Sequence, residues 1–280
     1  MPELPEVETV CRGLAPRLVG RRLVRVQVRR AGLRLPFPKE MAQRLTGRVV
    51  SAIFRRGKYI LLSLDDGTVV IAHLGMSGRM VIRDMPAPPP GKHDHVSLET
   101  DDGAELCFND PRRFGLMVLT DQAGWAGHPL LAGLGPEPLE PDFTPVRLSE
   151  ALCGRRSSIK AALLDQSVVA GLGNIYVSEA LFQAGISPVR EAHSVAGTPA
   201  EALVPAIRAV LSAAIAAGGS SLRDYVQVSG ELGYFQHSFA VYGRAGLACP
   251  GCTCSIERTG GIERLTQANR SSFWCPRKQS

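Results

Sequence analysis

Apolar residues recur at helical spacing near the start of the chain. In PEVETVCRGLAPRL, residues 5–18, Val7, Val10, Cys11, Leu14 and Leu18 line one face of a 3.6-period helix. Pro5 suits its first turn, where a missing N–H costs nothing. The period then drops to two. In RLVRVQVRR, Val24, Val26 and Val28 alternate with Arg25, Gln27 and Arg29, which predicts a half-buried strand. Two β-rich segments follow, KYILLSLDDGTVVIAHL and HVSLETDDGAELCFND, each broken by Asp-Asp-Gly. Asp-Gly between such runs predicts a hairpin, with turns at Asp65-Asp66-Gly67 and Asp101-Asp102-Gly103. Residues 1–130 therefore read as one helix and an antiparallel β-sandwich. The Pro-rich, unpatterned GLGPEPLEPDFTP predicts a linker over 131–147. Beyond it the helical period returns in IKAALLDQ, IYVSEALFQAG and PAEALVPAIRAVLSAAIAAGG, the last closed by Gly218 and Gly219. Residues 148–240 read as a helical domain and 241–280 as a cysteine-bearing tail.

Composition narrows the class. The chain has 280 residues, 45% hydrophobic and 21% charged, as two globular domains require. No apolar run reads as approaching the roughly 20 residues of a membrane span. MPELPEVETV has no apolar signal region, so the expected compartment is the cytoplasm. Net charge is only +6, yet residues 1–40 carry +5 and residues 241–280 carry +4. Basic ends on a less basic body point to a polyanion partner, nucleic acid first. Of seven cysteines, Cys11, Cys107 and Cys153 are scattered and read as buried thiols, whereas Cys249, Cys252, Cys254 and Cys275 crowd one tail.

Four stretches could carry chemistry. If Met1 is removed, Pro2 becomes a free secondary amine beside the positive end of a helix, which favours its neutral, nucleophilic form. Such an amine can attack a sugar carbon and form an iminium, with Glu3 and Glu6 at hand to move protons. The alternative is that Pro2, Pro5 and the early glutamates only begin a helix. In RRGKYI, Lys58 stands beside Arg55 and Arg56, a cluster that either binds phosphate or guards a strand edge. In HLGMSGR and NDPRRFG, Met76 and Phe114 sit in turns with Arg112 nearby. They either cap the sandwich or act as a wedge and arginine that fill the gap left by an extracted base. Finally, AGLGN leads into a helix whose free N–H groups suit an anion, with Arg155, Arg156 and Lys160 upstream.

Together these residues resemble the formamidopyrimidine-DNA glycosylase family, bacterial enzymes that excise oxidised purines. The likeness runs through MPELPEVET, RRGKY, HLGMSG, KHDHV, NDPRRFG, LGPEPL, AGLGNIYVSEALF, GGSSLRDY, VYGR and NRSSFWC, nearly the whole chain. Leu4 favours the purine branch, because the endonuclease VIII branch has Gly there. The resemblance implies an α+β fold: a leading helix and β-sandwich, then a helix–two-turns–helix domain with a zinc-finger hairpin. It implies a monomer acting on double-stranded DNA that contains oxidised bases or abasic sites. Pro2 would be the nucleophile and Glu3 its acid/base partner. Lys58 would donate a proton and touch phosphate. His93, Arg112, Arg156, Lys160 and Asn174 would contact DNA. Met76, Arg112 and Phe114 would fill the vacated stack, and residues 221–234 would close over the flipped base. Arg270 would assist the second of two eliminations. An enzyme for oxidised pyrimidines, or a protein that binds damaged DNA without cutting it, is the competing expectation.

The tail departs from the family pattern. Family members place four cysteines around one structural zinc ion. Here Cys249, Cys252 and Cys275 match, but Lys278 occupies the fourth place and has no lone pair to give. Cys254 is an additional thiol two residues after Cys252. The expectation is a rebuilt site of Cys249, Cys252, Cys254 and Cys275. The rivals are a three-thiolate site and a metal-free hairpin.

Overall fold

The computed structural model describes residues 1–220, 228, 233–253 and 255–280. Cys254 and most of the segment 221–234 lie outside the described residues. The chain divides into two compact units, Met1–Ala132 with Ala217–Tyr234 and Gly133–Ala216 with Phe235–Ser280. The stretch 217–234 thus groups with the sandwich rather than with the helices it follows in sequence.

The first unit starts with helix α1 (Leu4–Leu18), whose Leu4, Val7, Val10, Cys11, Leu14 and Leu18 are buried. After strand β1 (Leu23–Val28) and the short helix α2 (Met41–Leu45) come β2 (Val50–Arg56), β3 (Tyr59–Leu64), β4 (Thr68–His73), β5 (Arg79–Asp84), β6 (Asp94–Thr100), β7 (Ala104–Asn109) and β8 (Leu116–Asp121). They form two four-stranded antiparallel sheets, ordered β1-β6-β7-β5 and β2-β3-β4-β8. Both Asp-Asp-Gly turns fall where the sequence puts them, joining β3 to β4 and β6 to β7. The core between the sheets holds Val26, Ile60, Leu62, Val70, Met80, Val96, Leu106 and Phe108 with the buried face of α1.

One strand departs from strict alternation. Val24 is 49% exposed although Val26 is buried. The register against β6 shifts between Leu23 and Arg25. This bulge leaves Val24 unpaired and turns it outward.

The second unit contains α3 (Pro145–Leu152), α4 (Ile159–Leu164), α5 (Asn174–Gln183) and α6 (Thr198–Ala216), then α7 (Ile256–Thr259) and a hairpin of β9 (Glu263–Gln267) and β10 (Arg270–Trp274). The segment read as a linker is packed. Phe143 is fully buried, and the Arg208 guanidinium donates to the carbonyls of Pro138, Glu140 and Phe143. An arginine on α6 thus supplies the donors that an irregular chain needs when it packs. Helix α3 begins inside the predicted linker because Thr144 caps it, accepting from the Arg147 N–H at 3.2 Å. Cys153 is exposed, not buried. It follows Leu152, the last buried residue of α3, as the helix turns outward.

Helix α6 is, by length and composition, long and apolar enough to cross a membrane, contrary to the expectation that no apolar run approaches a span. Within this unit it lays Leu203, Val204, Ile207 and Leu211 into the interior, as a core helix does.

Candidate functional site

In the first unit, the N-terminus is fixed from within. Glu3 is the N-cap of α1, and its backbone N–H donates to the Glu6 carboxylate at 2.8 Å. Glu6 is 2% exposed. It also accepts from the backbone N–H and the hydroxyl of Ser220, at 2.9 and 3.0 Å. One buried carboxylate therefore ties the helix start to the residue that opens the 221–233 segment. Ser220 and Tyr234 form an isolated antiparallel bridge. Pro2 is buried beside Glu3, whereas Met1 is 52% exposed.

Lys58 lies in the tight β2–β3 turn and is buried. Arg55, at the end of β2, reaches α1: its Nε is 3.0 Å from Glu8 Oε2. Burial of Glu8 works against ionisation. Its hydrogen bond from Arg12 and the charge of Arg55 outweigh that and lower its pKa. The anion expected among these cations is thus in part an internal carboxylate. The Glu8–Arg55 pair also pins the Lys58 turn to the helix that starts at Pro2.

His73 closes β4 behind Lys58. Its ring tilts against Tyr59 at 4.9 Å between centroids, and Nδ1 accepts the Gly75 N–H at 2.9 Å. Burial first, then the charges of Lys58 and Arg34, bring its pKa down to about 4. The sign follows from linkage. Between the ordinary value of about 6.5 and this folded value, the unfolded imidazole binds a proton that the folded one refuses, so acid favours unfolding. Stability should fall by about 1.4 kcal/mol per pH unit across that window, about 3 kcal/mol in total. Urea melts of wild type and His73→Asn between pH 7 and 4.5 read this directly. The wild type is expected to be the steeper, and parallel slopes refute the assignment.

The two turns proposed from sequence as a wedge point outward. Met76 is 37% exposed and Phe114 46% exposed, so neither caps the core. Arg112 is exposed as well, and its guanidinium stands 5.2 Å from the Phe114 ring centroid. His93 is half-buried and its carbonyl accepts the Asp110 N–H at 3.0 Å.

In the second unit, Arg156 is exposed ahead of α4. Lys160 is not at the surface. It is 1% exposed, and its ammonium donates to the Ser271 carbonyl at 2.8 Å and the Ser272 hydroxyl at 2.7 Å. Asn174, first residue of α5, donates to the same Ser271 carbonyl at 3.0 Å. The family resemblance implies DNA contacts for both residues. Lys160 anchors the hairpin, because a buried ammonium needs acceptors and β10 supplies them. Arg270, next to Ser271, remains exposed at the start of β10. Glu179 on α5 adds a further anchor that sequence did not suggest, accepting the backbone N–H groups of Ala240, Val241 and Tyr242 at 2.8–3.0 Å.

Three tail cysteines converge. The Sγ atoms of Cys249, Cys252 and Cys275 all lie within 4.8 Å of one another. Cys252 and Cys275 are 3.7 Å apart. Thiolates about 2.3 Å from a tetrahedral zinc stand roughly 3.8 Å apart, so the spacing fits a metal ion. Cys249 and Cys275 are free thiols, whereas Cys252 is disulfide-bonded and must be reduced to ligate. Lys278 does not join them. Its ammonium rests 4.5 Å from the Phe182 ring centroid, a cation–π contact.

The model of the formamidopyrimidine-DNA glycosylase N-terminal domain matches residues 1–117, and that of the family's H2TH domain matches residues 134–226. A formamidopyrimidine-DNA glycosylase from Rhodospirillum rubrum is 61% identical over 280 residues, covering all of both chains. The chain belongs to the formamidopyrimidine-DNA glycosylase family. Solved structures of the family superpose along its whole length. A Lactococcus lactis Fpg variant in complex with DNA containing Fapy-dG gives a TM-score of 0.90 at 34% identity, with 100% of both chains covered. Lactococcus lactis Fpg in complex with DNA containing an abasic site gives 0.88 at 33%, with 99% of both covered. The helix, the paired sheets and the helical unit are those of this glycosylase family.

Proposed function

We propose that this protein excises oxidised purines, 8-oxoguanine and formamidopyrimidines, from duplex DNA in base excision repair, and then cuts the strand at the resulting abasic site. The observation that carries the reading is the N-terminus. Pro2 and Glu3 stand at the head of a helix whose second turn is tied to the Lys58 turn, in a chain of this family. Family relatives crystallised with Fapy-dG DNA and with abasic DNA support purine lesions and abasic sites as substrates.

The chemistry assigned to these residues is one covalent sequence. After Met1 is removed, the Pro2 nitrogen forms a bond to C1′ as the bond from C1′ to the damaged base breaks. Glu3 relays a proton to the sugar ring oxygen, the ring opens, and an iminium joins Pro2 to C1′. Loss of a proton from C2′ breaks the C3′–O bond and releases the 3′ phosphate. Lys58 acts as proton donor and phosphate contact in this step. A second elimination breaks the C5′–O bond, with Arg270 on the departing phosphate. Water then hydrolyses the iminium and frees Pro2. Extracting the base costs a few kcal/mol of unstacking. Met76, Arg112 and Phe114 offset this by filling the gap, while Arg156, His93 and Asn174 meet the backbone.

We place the protein in the bacterial cytoplasm, as a monomer on the nucleoid. One structural zinc ion would be held by Cys249, Cys252 and Cys275, with Cys254 as fourth ligand in place of Lys278. Zinc there would only brace the hairpin. The residues that act on DNA are the chain's own.

Borohydride reduction in the presence of an 8-oxoguanine·cytosine duplex tests the reading. The expected product is a stable adduct whose tryptic map places DNA on the N-terminal peptide. An adduct on an internal lysine, or nicking with no adduct, refutes it. A lesion panel should rank oxidised purines above oxidised pyrimidines by at least about tenfold in kcat/KM, the scale a pocket with specific hydrogen bonds attains easily.

A further inference from the structure

The wedge turns share a buried hub that the proposed chemistry does not use. Asp110 is fully buried. Its Oδ1 accepts the Ser77 hydroxyl at 2.6 Å, and its Oδ2 accepts the Gly115 N–H at 2.8 Å. The Ser77 oxygen in turn accepts the Arg112 N–H at 3.1 Å. Asp110 is also clamped along its backbone, its N–H on the His93 carbonyl and its carbonyl 2.8 Å from His95 Nε2. Ser77 belongs to the Met76 turn; Arg112 and Gly115 belong to the Phe114 turn. One carboxylate therefore joins the two turns.

Backbone packing reinforces the joint. Gly75 has φ +64°, and a Cβ there would stand 2.4 Å from the Phe114 carbonyl carbon. Only glycine lets the two turns touch in this way. Gly78 donates to the Leu74 carbonyl at 2.8 Å, and His73 holds the Gly75 N–H. Because burial keeps His73 neutral until well below physiological pH, that acceptor persists under working conditions.

We propose that Asp110 and Ser77 are positioning residues that lock Met76, Arg112 and Phe114 into one preassembled unit, so that the gap is filled in a single motion as the damaged nucleotide leaves the stack. This rests on the reading above that those three side chains fill the stack. Among the described residues, the hub makes no hydrogen bond to Pro2. It acts by holding two exposed apolar tips and a guanidinium at a fixed spacing, and errors of about 1 Å in such placement cost on the order of 100-fold.

The experiment separates insertion from chemistry. Ser77→Ala and Asp110→Asn are compared with wild type in three assays. These are single-turnover excision of 8-oxoguanine from a duplex, 2-aminopurine fluorescence beside the lesion as a monitor of unstacking, and cleavage of an abasic site in single-stranded DNA. Duplex excision and the fluorescence rise are expected to slow together by about 10- to 100-fold. Single-strand cleavage, which needs no stack to be filled, should stay within about twofold of wild type. Ser77→Ala keeps the Asp110–Gly115 bond and guards against loss of the fold. If both substrates slow equally, the hub is merely structural and the proposal fails. It fails equally if duplex excision is unchanged. Met76→Ala and Phe114→Ala identify the underlying cause: should they leave duplex excision at the wild-type rate, the stack-filling reading itself falls.

Discussion

A version of the protein that retains one residue ahead of Pro2 will lose strand cleavage by on the order of 10³-fold or more, the scale of losing a catalytic nucleophile, and will give no borohydride-stable adduct. The reason is electronic. Within a peptide bond the proline nitrogen shares its lone pair with the preceding carbonyl. It has neither a proton to lose nor electrons to offer C1′. As the terminal residue it is a secondary amine whose lone pair is free whenever it is unprotonated. The surroundings suit that role. Pro2 is buried beside Glu3, and Glu6 fixes the Glu3 N–H and Ser220 together. The amine therefore sits on a rigid mount and loses little entropy on reaction. The extended form keeps Met76, Arg112, Phe114 and Arg156, so its affinity for abasic duplex should stay within a few-fold by fluorescence anisotropy. That split, binding kept and adduct lost, separates a missing nucleophile from a misfolded protein. An extended form that still traps DNA would move the nucleophile elsewhere, with Lys58 the first alternative.

Much of this architecture is legible in the sequence because it rests on short-range rules. The buried face of α1 follows from helical spacing, and two hairpins follow from Asp-Asp-Gly between β-rich runs. The misreadings share a different origin. Val24 faces outward because of a bulge set by pairing with β6, which sequence alternation cannot show. The supposed linker is packed because Arg208, some 70 positions away, satisfies its carbonyls. The acceptors of Lys160, likewise out of reach of local rules, lie 111 and 112 positions downstream on the hairpin. Asp110 stands in the quoted NDPRRFG motif, but only the fold reveals that its carboxylate is buried and shared between two turns. Residue chemistry is local and readable. Which partner consumes it is decided by long-range contacts.

Reduced and supplied with zinc, the wild-type chain should hold one ion, and Cys275→Ser should hold none after dialysis against a chelator. Cys275 is the strongest point at which to break the site. It is 1% exposed, it sits 3.7 Å from Cys252, and its backbone N–H is pinned by Gln279 at 2.8 Å. A serine there offers a weak, neutral oxygen at a position already fixed for a soft thiolate. Structural zinc in small hairpins contributes on the order of 10 kcal/mol of apparent binding energy, as much as or more than the roughly 5–9 kcal/mol that burial of Phe182, Val241 and Ile262 would supply at about 1.5–3 kcal/mol per side chain. Cys254→Ser distinguishes the ligand sets. If Cys254 completes the site, this variant releases zinc at much lower chelator concentration than wild type. If three thiolates suffice, the two release it alike. The consequence for catalysis is narrower than for metal content. Lys160 and Asn174 grip Ser271 without any help from the cysteines, so β10 and its Arg270 keep one anchor when zinc is gone. Cys275→Ser should therefore still form the Pro2 adduct and the first-elimination product, while the second elimination slows. Purified wild type that carries no zinc yet yields both products would show that the protein's own hydrogen bonds hold the hairpin unaided.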